Sequence, residues 1–355
     1  MPASAAKQLL DKQCAAKRLL DERRAAKWLL DHYDRHARVL PWRSVPGEAA
    51  PEPYKVWLSE VMLQQTTVAT VKPRFRRFIE RWPTVEALAR APDEEVLQEW
   101  AGLGYYARAR NLIACARQVA AVGGFPRTEK DLLKLPGLGA YTAAAIAAIA
   151  FGERAVVVDT NVARVVARFH AITKPLAQAR DEIRKFADAM TPADRSGDFA
   201  QAMMDLGAAI CRPRNPLCNE CPLAPGCGAR TSGTPEAFPA PKVRRERPQR
   251  HGIAWWIERD GAIWLVRRST KGMLGGMAAL PGPEWTDEAA AIPALATVSH
   301  GFTHFTLDLR IAARQSPAEG DGWWQALDRI SEAGLPTLYV RAIEAVLARK
   351  ESLAA

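Results

Sequence analysis

Four cysteines crowded into one short segment constrain this chain more than any other feature. The run has the spacing C-x6-C-x2-C-x5-C and consists of Cys211, Cys218, Cys221 and Cys227. Disulfides would need distributed pairs and an oxidising compartment, whereas four clustered thiolates suit either tetrahedral zinc or a 4Fe–4S cluster. The single C-x2-C unit and the long first gap favour the iron–sulfur cluster, and zinc stays open.

The bulk composition predicts a soluble chain of two domains with an anionic partner. The 355 residues are 48% hydrophobic, which is enough to bury a sizeable core. The sequence shows no signal-peptide h-region and no apolar run of about 18 residues, so a cytoplasmic protein is expected. The net charge of +10 points toward nucleic acid, although charge alone supports only nonspecific attraction.

Breaks in composition divide the chain into four segments. Residues 1–24 carry most of a ten-residue repeat, AAKxLLD, and predict a helical extension with no assigned role. Residues 25–228 have apolar positions at three- and four-residue spacing, which predicts an all-α domain of about ten helices. Residues 229–250 predict an extended basic linker that either follows phosphates or is simply solvated. Residues 251–349 alternate around Asp260-Gly261 and predict an α+β domain with a hairpin there.

A glycine-containing turn predicts contact with a DNA phosphate. Pro136 ends one helix, and Gly137 and Gly139 permit a tight turn before the next helix, Ala143–Phe151. The exposed N–H groups of a helix N-terminus bind anions. The string L-P-G-x-G-x-Y-T is a helix-hairpin-helix signature, which holds a phosphate without reading bases. An ordinary turn between two packed helices is the alternative.

Two carboxylates are candidates for chemistry. Glu60 has apolar neighbours, Val56 and Leu63, on one helix face, and desolvation there would give it the raised pKa that a general acid needs. From the residues alone, a buried structural acceptor is the favoured alternative for Glu60. Asp159 follows an apolar run and opens an amphipathic helix, so we expect it to cap that helix and to be available for catalysis.

A second glycine loop combines aromatic rings with cations. Tyr105 and Tyr106 follow a Gly-x-Gly turn, and Arg108 comes two residues later. Rings that stack together with guanidinium groups are typical of residues that enter DNA, and core tyrosines are the alternative. The helix of Glu60 also ends in polar residues, Gln64 and Gln65.

Taken together, these strings closely resemble the adenine DNA glycosylases of the MutY type. The resemblance covers about residues 26–349 and is carried by LPWR, VWLSEVMLQQT, GLGYYARARN, LPGLGAYTA, VDTNV and the four-cysteine run. It implies a mostly α, two-lobed helix-hairpin-helix glycosylase domain over 25–228, with the active site in the cleft between the lobes. It also implies a 4Fe–4S cluster in the loop 211–227. Residues 251–349 resemble the Nudix-like domain of the same family.

The resemblance implies removal of adenine mispaired with 8-oxoguanine, and more weakly with guanine. Glu60 would protonate adenine at N7, and Asp159 would stabilise the oxocarbenium-like sugar, with Tyr141 and Asn161 positioning both. Lyase relatives carry a lysine at position 141, so Tyr141 implies a monofunctional glycosylase. The implied base pocket consists of Leu40, Trp42, Arg43 and Asp205.

The resemblance also implies which residues meet the DNA. The residues expected to contact or prise open the duplex are Gln64, Gln65, Tyr105, Tyr106, Arg108, Gly137 and Gly139. The family inspects 8-oxoguanine with a Phe-Ser-His loop, which reads Phe302-Thr303-His304 here, so threonine keeps the hydroxyl and adds a methyl group. The C-terminal segment lacks the Glu-rich helix of a working Nudix hydrolase, so recognition without hydrolysis is expected.

Two other functions stay open at this point. One is a glycosylase of the same superfamily that acts on mismatched thymine or an oxidised pyrimidine, which Glu60, Tyr141 and the second domain disfavour. The other is a non-enzymatic DNA-binding iron–sulfur redox sensor, which the two carboxylates disfavour. The expected partner is double-stranded DNA without a membrane, for a monomer located in the cytoplasm with the nucleoid.

Overall fold

The chain forms two compact units that interleave in sequence. The computed structural model describes residues 22–241, 247–269, 272–317 and 321–354. The first unit contains Met1–Arg76 and Gln118–Val243. The second unit contains Arg77–Arg117 and Arg244–Ala355. The sequence pattern assigns residues 77–117 to the helical domain over 25–228. In the structure this segment instead belongs to the same compact unit as the C-terminal strands.

The described part of the first unit is helical. In chain order the α-helices of both units are α1 (22–36), α2 (Pro53–Leu63), α3 (Val68–Arg81), α4 (Val85–Arg90), α5 (Asp93–Glu99), α6 (Ala107–Ala121), α7 (Glu129–Leu132), α8 (Ala140–Phe151), α9 (Thr160–Phe169), α10 (Arg180–Met190), α11 (Ser196–Asp205), α12 (Gly228–Thr231) and α13 (Thr337–Ala354). The predicted extension over 1–24 lies outside the described residues except for its last three, which begin α1. None of the described helices has the length and apolarity that crossing a bilayer requires.

Helix α8 is central to the first unit, where it packs against α2 and α11. All of its residues from Thr142 to Ala150 are buried, and most are alanine, so its neighbours can approach closely. A Cβ atom at Gly197 would lie 2.5 Å from the carbonyl oxygen of Ala148, so α11 requires glycine there. This packing fixes the first turn of α8, which carries Tyr141, against α2, which carries Glu60.

Two small sheets and α13 build the core of the second unit. The first sheet has the order β1-β6-β5, with β1 (Gln249–Trp256) parallel to β6 (Thr306–Ala313) and β5 (Ala296–Gly301) antiparallel to it. In the second sheet β3 pairs antiparallel with the other strands, and the strands are β2 (Glu258–Arg259), β3 (Ala262–Arg267), β4 (Ala278–Ala279) and β7 (Gly322–Ala326). The hairpin predicted at Asp260-Gly261 is present, but it joins β3 to the short β2 because β1 pairs with β6. The described chain between β4 and β5 contains no helix.

The first half of the predicted linker is folded rather than extended. Residues 242–246 lie outside the described part of the chain, but before them a 3-10 turn spans Pro235–Ala237. The backbone N–H of Asn215 donates to Glu236, and Arg168 Nε donates to the carbonyl oxygen of Phe238 at 3.0 Å. The expectation of an extended segment is wrong here because these groups bind it to the first unit.

Candidate active site

A cleft of about 1420 Å3 in the first unit collects most of the predicted site. Both candidate carboxylates, Glu60 and Asp159, line it. The other predicted residues along its wall are Leu40, Trp42, Arg43, Gln64, Gln65, Tyr141 and Asn161. The structure thus brings together residues that are separated by about a hundred positions in sequence, because α2, α8 and α9 converge on this cleft.

Glu60 is a buried carboxyl group with one direct hydrogen bond. It is 5% exposed, and the hydroxyl of Tyr141 donates to its Oε2 at 2.6 Å. Burial raises the pKa of Glu60, and the charge of Asp159 adds to the rise, while the Tyr141 hydrogen bond and Arg43 oppose it. The net rise favours the protonated form, in which a carboxyl group can donate a proton.

Tyr141 is held so that it can only act as a neutral donor. Burial raises its pKa well above the ordinary value, and the charges of Glu60 and Asp159 reinforce the effect. Next to it on α8, Thr142 Oγ1 accepts a hydrogen bond of 3.1 Å from Gln64 Nε2. The end of α2 is therefore tied to the start of α8 beside Glu60 and Tyr141.

Asp159 caps α9, as its position in the sequence predicts. Its Oδ1 accepts from the backbone N–H of Val162 at 2.6 Å, which satisfies one of the free donors at the helix start. Its Oδ2 accepts from Asn161 Nδ2 at 3.1 Å. Asn161 therefore positions Asp159 directly, and the carboxylate is fixed at the wall of the cleft.

Arg164 is a site residue that sequence reasoning missed. This buried arginine donates to Asn161 Oδ1 at 2.8 Å, to the Gly207 carbonyl at 2.7 Å and to the Cys211 carbonyl at 2.9 Å. It links the residue that orients Asp159 to the first cysteine of the run. A signal was present, because an arginine placed three residues after Asn161 on an otherwise apolar helix face needs a buried partner.

The structure corrects the expectation that Asp205 lines the base pocket. Asp205 is absent from the cleft wall and instead pairs with Arg38 at 2.5 Å and with Arg43 at 2.7 Å. Burial alone would raise its pKa, but the hydrogen bonds and charges of the two arginines outweigh this and hold the pKa below its ordinary value. Asp205 acts through Arg43, whose charge reaches Glu60.

The four cysteines of the run line one small cavity beside Arg168, a second residue that the sequence did not single out. Arg168 Nη1 lies 3.4 Å from Cys211 Sγ and 2.7 Å from the Arg212 carbonyl. Burial raises the pKa of Cys221 to about 12, and the neighbouring thiols contribute. Within the described residues, no three His, Cys, Asp or Glu side chains converge closely enough to hold a single metal ion.

The predicted helix-hairpin-helix turn lies between α7 and α8. Gly137 has φ +74°, in the region that favours glycine, and Gly139 is the N-cap of α8 without any side-chain hydrogen bond to the helix start. Leu135 and Leu138 are buried and anchor the turn. The first N–H groups of α8 therefore lack a side-chain cap, as an anion site requires.

In the second unit only one of the two predicted wedge tyrosines is available to DNA. Tyr105 is 49% exposed, but Tyr106 is 4% exposed, so the expectation that Tyr106 contacts DNA is wrong in this conformation because its ring lies in the core. Arg108 also departs from its expected role. Its Nη2 donates to the carbonyl oxygens of Leu103 at 2.8 Å and Gly104 at 3.2 Å, so the guanidinium binds the loop itself.

The predicted recognition residues form the tip of the β5–β6 hairpin. The Phe302 N–H donates to the Phe305 carbonyl at 2.8 Å, which leaves Thr303 and His304 exposed at the turn. The Phe302 ring packs below them, 5.4 Å from the Trp285 ring. The Thr303 and Tyr105 hydroxyls are 2.9 Å apart, so the two predicted DNA-facing loops meet.

Fold and site together define a base excision repair protein of the helix-hairpin-helix class. Residues 58–190 match the family described as HhH-GPD superfamily base excision DNA repair protein, and residues 252–345 match the NUDIX domain. A solved structure of a thermostable thymine-DNA glycosylase is similar, with a TM-score of 0.53 and 28% identity. That match covers 60% of this chain and 97% of the other.

Similar curated proteins show which family of this repair class the chain belongs to. The adenine DNA glycosylase of Mycolicibacterium smegmatis is 43% identical over 216 residues, which are 60% of this chain and 72% of the relative. That of Buchnera aphidicola subsp. Schizaphis graminum is 30% identical and covers 80% of this chain and 88% of the relative. The chain belongs to the adenine DNA glycosylase family. It spans 64% of the human relative, to which it is 35% identical, and 47% of the Arabidopsis thaliana relative.

Proposed function

We propose that this protein excises adenine mispaired with 8-oxoguanine, and more weakly with guanine, from double-stranded DNA in base excision repair. The observation that carries the proposal is the buried 2.6 Å contact between Tyr141 and Glu60 in a cleft that also holds Asp159. Membership of the adenine DNA glycosylase family supports adenine as the excised base. The sequence of the hairpin tip, Phe302-Thr303-His304, supports 8-oxoguanine as the opposite base.

The chemistry follows from the two carboxylates. Adenine is a poor anionic leaving group, so protonated Glu60 donates its proton to N7 while the C1′–N9 bond breaks and its electron pair leaves with the base. The sugar gains oxocarbenium character, which the Asp159 carboxylate stabilises electrostatically. Water then adds to C1′, and Glu60 takes up its proton. The products are free adenine and an abasic site.

Tyr141 makes the proposed reaction monofunctional. A lysine at this position would offer an amine for a Schiff base with the abasic sugar, but the tyrosine side chain has no nitrogen and cannot form one. The phosphodiester strand should therefore stay intact after base removal. Strand breakage should appear only when alkali is added.

Access to the adenine requires that it leave the base stack. We infer that Gln64 and Gln65, at the polar end of α2 in the cleft, fill the vacated space, and that Tyr105 enters the duplex. Gln65 has φ +57° and is exposed, as a residue that projects from a helix end would be. The turn at Gly137 and Gly139 would hold a phosphate. A monomer associated with the nucleoid in the cytoplasm completes the proposal.

The cysteine run fits a 4Fe–4S cluster. Its four thiols line one cavity, as the ligands of a single cluster would. The Arg168 guanidinium beside Cys211 suits sulfur that carries negative charge. When bound, a cluster would supply iron–thiolate bonds that close the loop 211–227. Equal amounts of iron and acid-labile sulfide in the purified protein would support it, and zinc alone would overturn it.

The proposed activity is tested on labelled duplexes with one adenine opposite 8-oxoguanine. We expect strand breakage that depends on alkali for the natural chain, and retained duplex binding without breakage for Glu60→Gln. A parallel duplex with thymine opposite guanine tests the activity that the thymine-DNA glycosylase similarity suggests. Breakage without alkali would overturn the monofunctional proposal, and binding without any breakage would favour the redox-sensor alternative.

A further inference from the structure

Arg108 occupies a position where an arginine is electrostatically unfavourable. It is the second residue of α6, and the partial positive charge at a helix N-terminus disfavours a cation there. Burial adds to the cost, because it lowers the pKa of Arg108 to about 10. A cation in such a place requires compensating contacts.

One loop supplies those contacts. Arg108 Nη2 donates to the carbonyl oxygens of Leu103 and Gly104, at 2.8 and 3.2 Å. The guanidinium carbon also lies 5.6 Å from the centre of the Tyr105 ring and 5.2 Å from that of Trp100. Trp100 Nε1 donates to the Gly104 carbonyl at 3.1 Å. Arg108 and Trp100 therefore hold the same loop from its buried side.

The loop needs such support because its backbone is strained. Gly102 and Gly104 have φ values of +90° and +68°, and Tyr105 adopts φ +48° although it has a side chain. A non-glycine residue in the left-handed region persists only where its surroundings hold it. The held conformation exposes half of the Tyr105 ring and brings its hydroxyl to 2.9 Å from Thr303.

We propose that Arg108 is a positioning residue for mispair recognition, which holds Tyr105 in its exposed, left-handed conformation and thereby sets the affinity for a lesion-containing duplex. The inference rests on the proposed function, since it takes Tyr105 as the side chain that enters the duplex. It replaces the expectation from sequence that Arg108 itself binds DNA.

The first test measures binding and chemistry separately in Arg108→Gln. The Kd for a duplex with a non-hydrolysable adenine nucleotide opposite 8-oxoguanine should rise about tenfold, because Tyr105 is released. The excision rate at saturating enzyme should change by less than about twofold, because Arg108 is not part of the cleft wall. Arg108→Lys keeps a charged donor but loses the planar guanidinium group. Its Kd should therefore lie between that of the natural chain and that of Arg108→Gln.

The matched control is Arg117→Gln. Arg117 lies on the same helix, is 50% exposed and pairs with Asp93, so its replacement removes the same charge without touching the loop. Its Kd should equal that of the natural chain. If the melting curve shows that Arg108→Gln does not fold, the Kd of Arg108→Lys is compared with those of the natural chain and Arg117→Gln instead.

Salt dependence separates positioning from direct phosphate contact. If Arg108 paired with a phosphate, its loss would reduce the slope of log Kd against log salt by about one. A positioning residue leaves that slope unchanged. In addition, the double variant Arg108→Gln/Tyr105→Leu should have nearly the same Kd as Tyr105→Leu alone. Both substitutions remove the same contribution to binding, that of the positioned Tyr105 ring.

Different experimental results would refute this inference and the proposed function. A natural chain that leaves adenine opposite 8-oxoguanine uncut refutes the proposed function. In an active natural chain, an unchanged Kd, a reduced salt slope, or full additivity with Tyr105→Leu for Arg108→Gln refutes the positioning role alone.

Discussion

At the scale of single residues, neighbours with opposite effects set the pKa of Glu60, the proposed general acid. Burial raises the pKa of Glu60, while Tyr141 and Arg43 limit the rise, and Asp205 in turn holds Arg43. The balance of these effects leaves the pKa of Glu60 above its ordinary value. Substitution of each neighbour should therefore change the pH dependence of the proposed reaction separately.

Tyr141→Phe should shift the pH profile of excision. The hydroxyl lowers the pKa of Glu60, so its removal lets that pKa rise further, and the loss of rate in alkali should begin at higher pH. Single-turnover rates measured across pH report the shift. Tyr339→Phe, a buried tyrosine bonded to Arg268 in the second unit, is the control. A profile that moves toward acid would contradict the assigned contact.

Glu60→Gln should change the pH dependence of stability. Because the folded pKa of Glu60 is raised, folding takes up a proton, so the stabilisation is complete below the ordinary pKa of 4.5 and is lost as pH rises through the raised value. Glutamine does not titrate, so the variant should gain free energy of unfolding over the natural chain as pH increases. Urea unfolding at a series of pH values tests this, with exposed Glu344→Gln as control. A constant difference would show that the pKa is not raised.

At the scale of elements, α9 connects the cleft to the cysteine run. Asp159 caps the helix, Asn161 and Arg164 lie in its first turns, and Arg168 near its end contacts Cys211. The helix therefore carries a series of hydrogen bonds from Asp159 to the backbone carbonyl of Cys211, and Arg168 adds a separate contact to the Cys211 thiol. In the second unit the tip of the β5–β6 hairpin meets Tyr105, which is the contact that the proposed recognition would use.

Arg164→Gln should impair excision although Arg164 is buried away from solvent. The variant loses the donors to Asn161, Gly207 and Cys211, which should lower the free energy of unfolding by about 3 kcal/mol and slow the single-turnover rate by misplacing Asp159. Exposed Arg90→Gln, on α4, removes the same charge and should change neither. A destabilised variant with the natural rate would show that α9 does not transmit the disturbance to Asp159.

Two substitutions separate the hydroxyl of Thr303 from its methyl group. Thr303→Val removes the hydroxyl that meets Tyr105, while Thr303→Ser keeps it. A hydroxyl contact contributes about 1 kcal/mol, so the valine variant should lose about fivefold of the preference for 8-oxoguanine over guanine opposite adenine. Serine should preserve the preference. Equal preferences in all three proteins would exclude the hydroxyl from recognition.

At the scale of the whole molecule, the two units share the sequence in an interleaved way. Residues 77–117 belong with the C-terminal strands, where Gln98 donates to the Glu332 carbonyl and Arg110 to the Gly275 carbonyl. The conventional division at the linker would therefore cut through the second unit. The segment that presents Tyr105 depends on residues more than 150 positions away.

A chain that ends at residue 241 should show this dependence. It keeps the cleft but loses the partners of Gln98, Arg110 and Tyr105, so we expect a lower melting temperature and a weaker preference for 8-oxoguanine, with adenine excision retained. A chain that ends at residue 350 removes only the end of α13 and serves as the control. Identical melting of the shorter fragment and the full chain would mean that residues 77–117 do not rely on the second unit.

Local signals made much of this predictable. The apolar run before Asp159 predicted its cap, and the two-glycine turn predicted the start of α8, because both depend on neighbours in sequence. The ion pair of Asp205 with Arg38, the burial of Tyr106 and the capture of Arg108 by its own loop were not predictable. Each depends on packing between segments that the periodicity of the sequence does not specify.

If Asp159 both caps α9 and serves the proposed reaction, one substitution separates the two roles and has a genetic consequence. Asparagine caps helices about as well as aspartate, so Asp159→Asn should leave α9 intact while removing the charge that the reaction uses. The product would be a stable protein that occupies mispairs without clearing them. In a cell that also makes the natural form, such an allele would compete for lesions instead of being lost to proteolysis, so its mutator phenotype should be dominant.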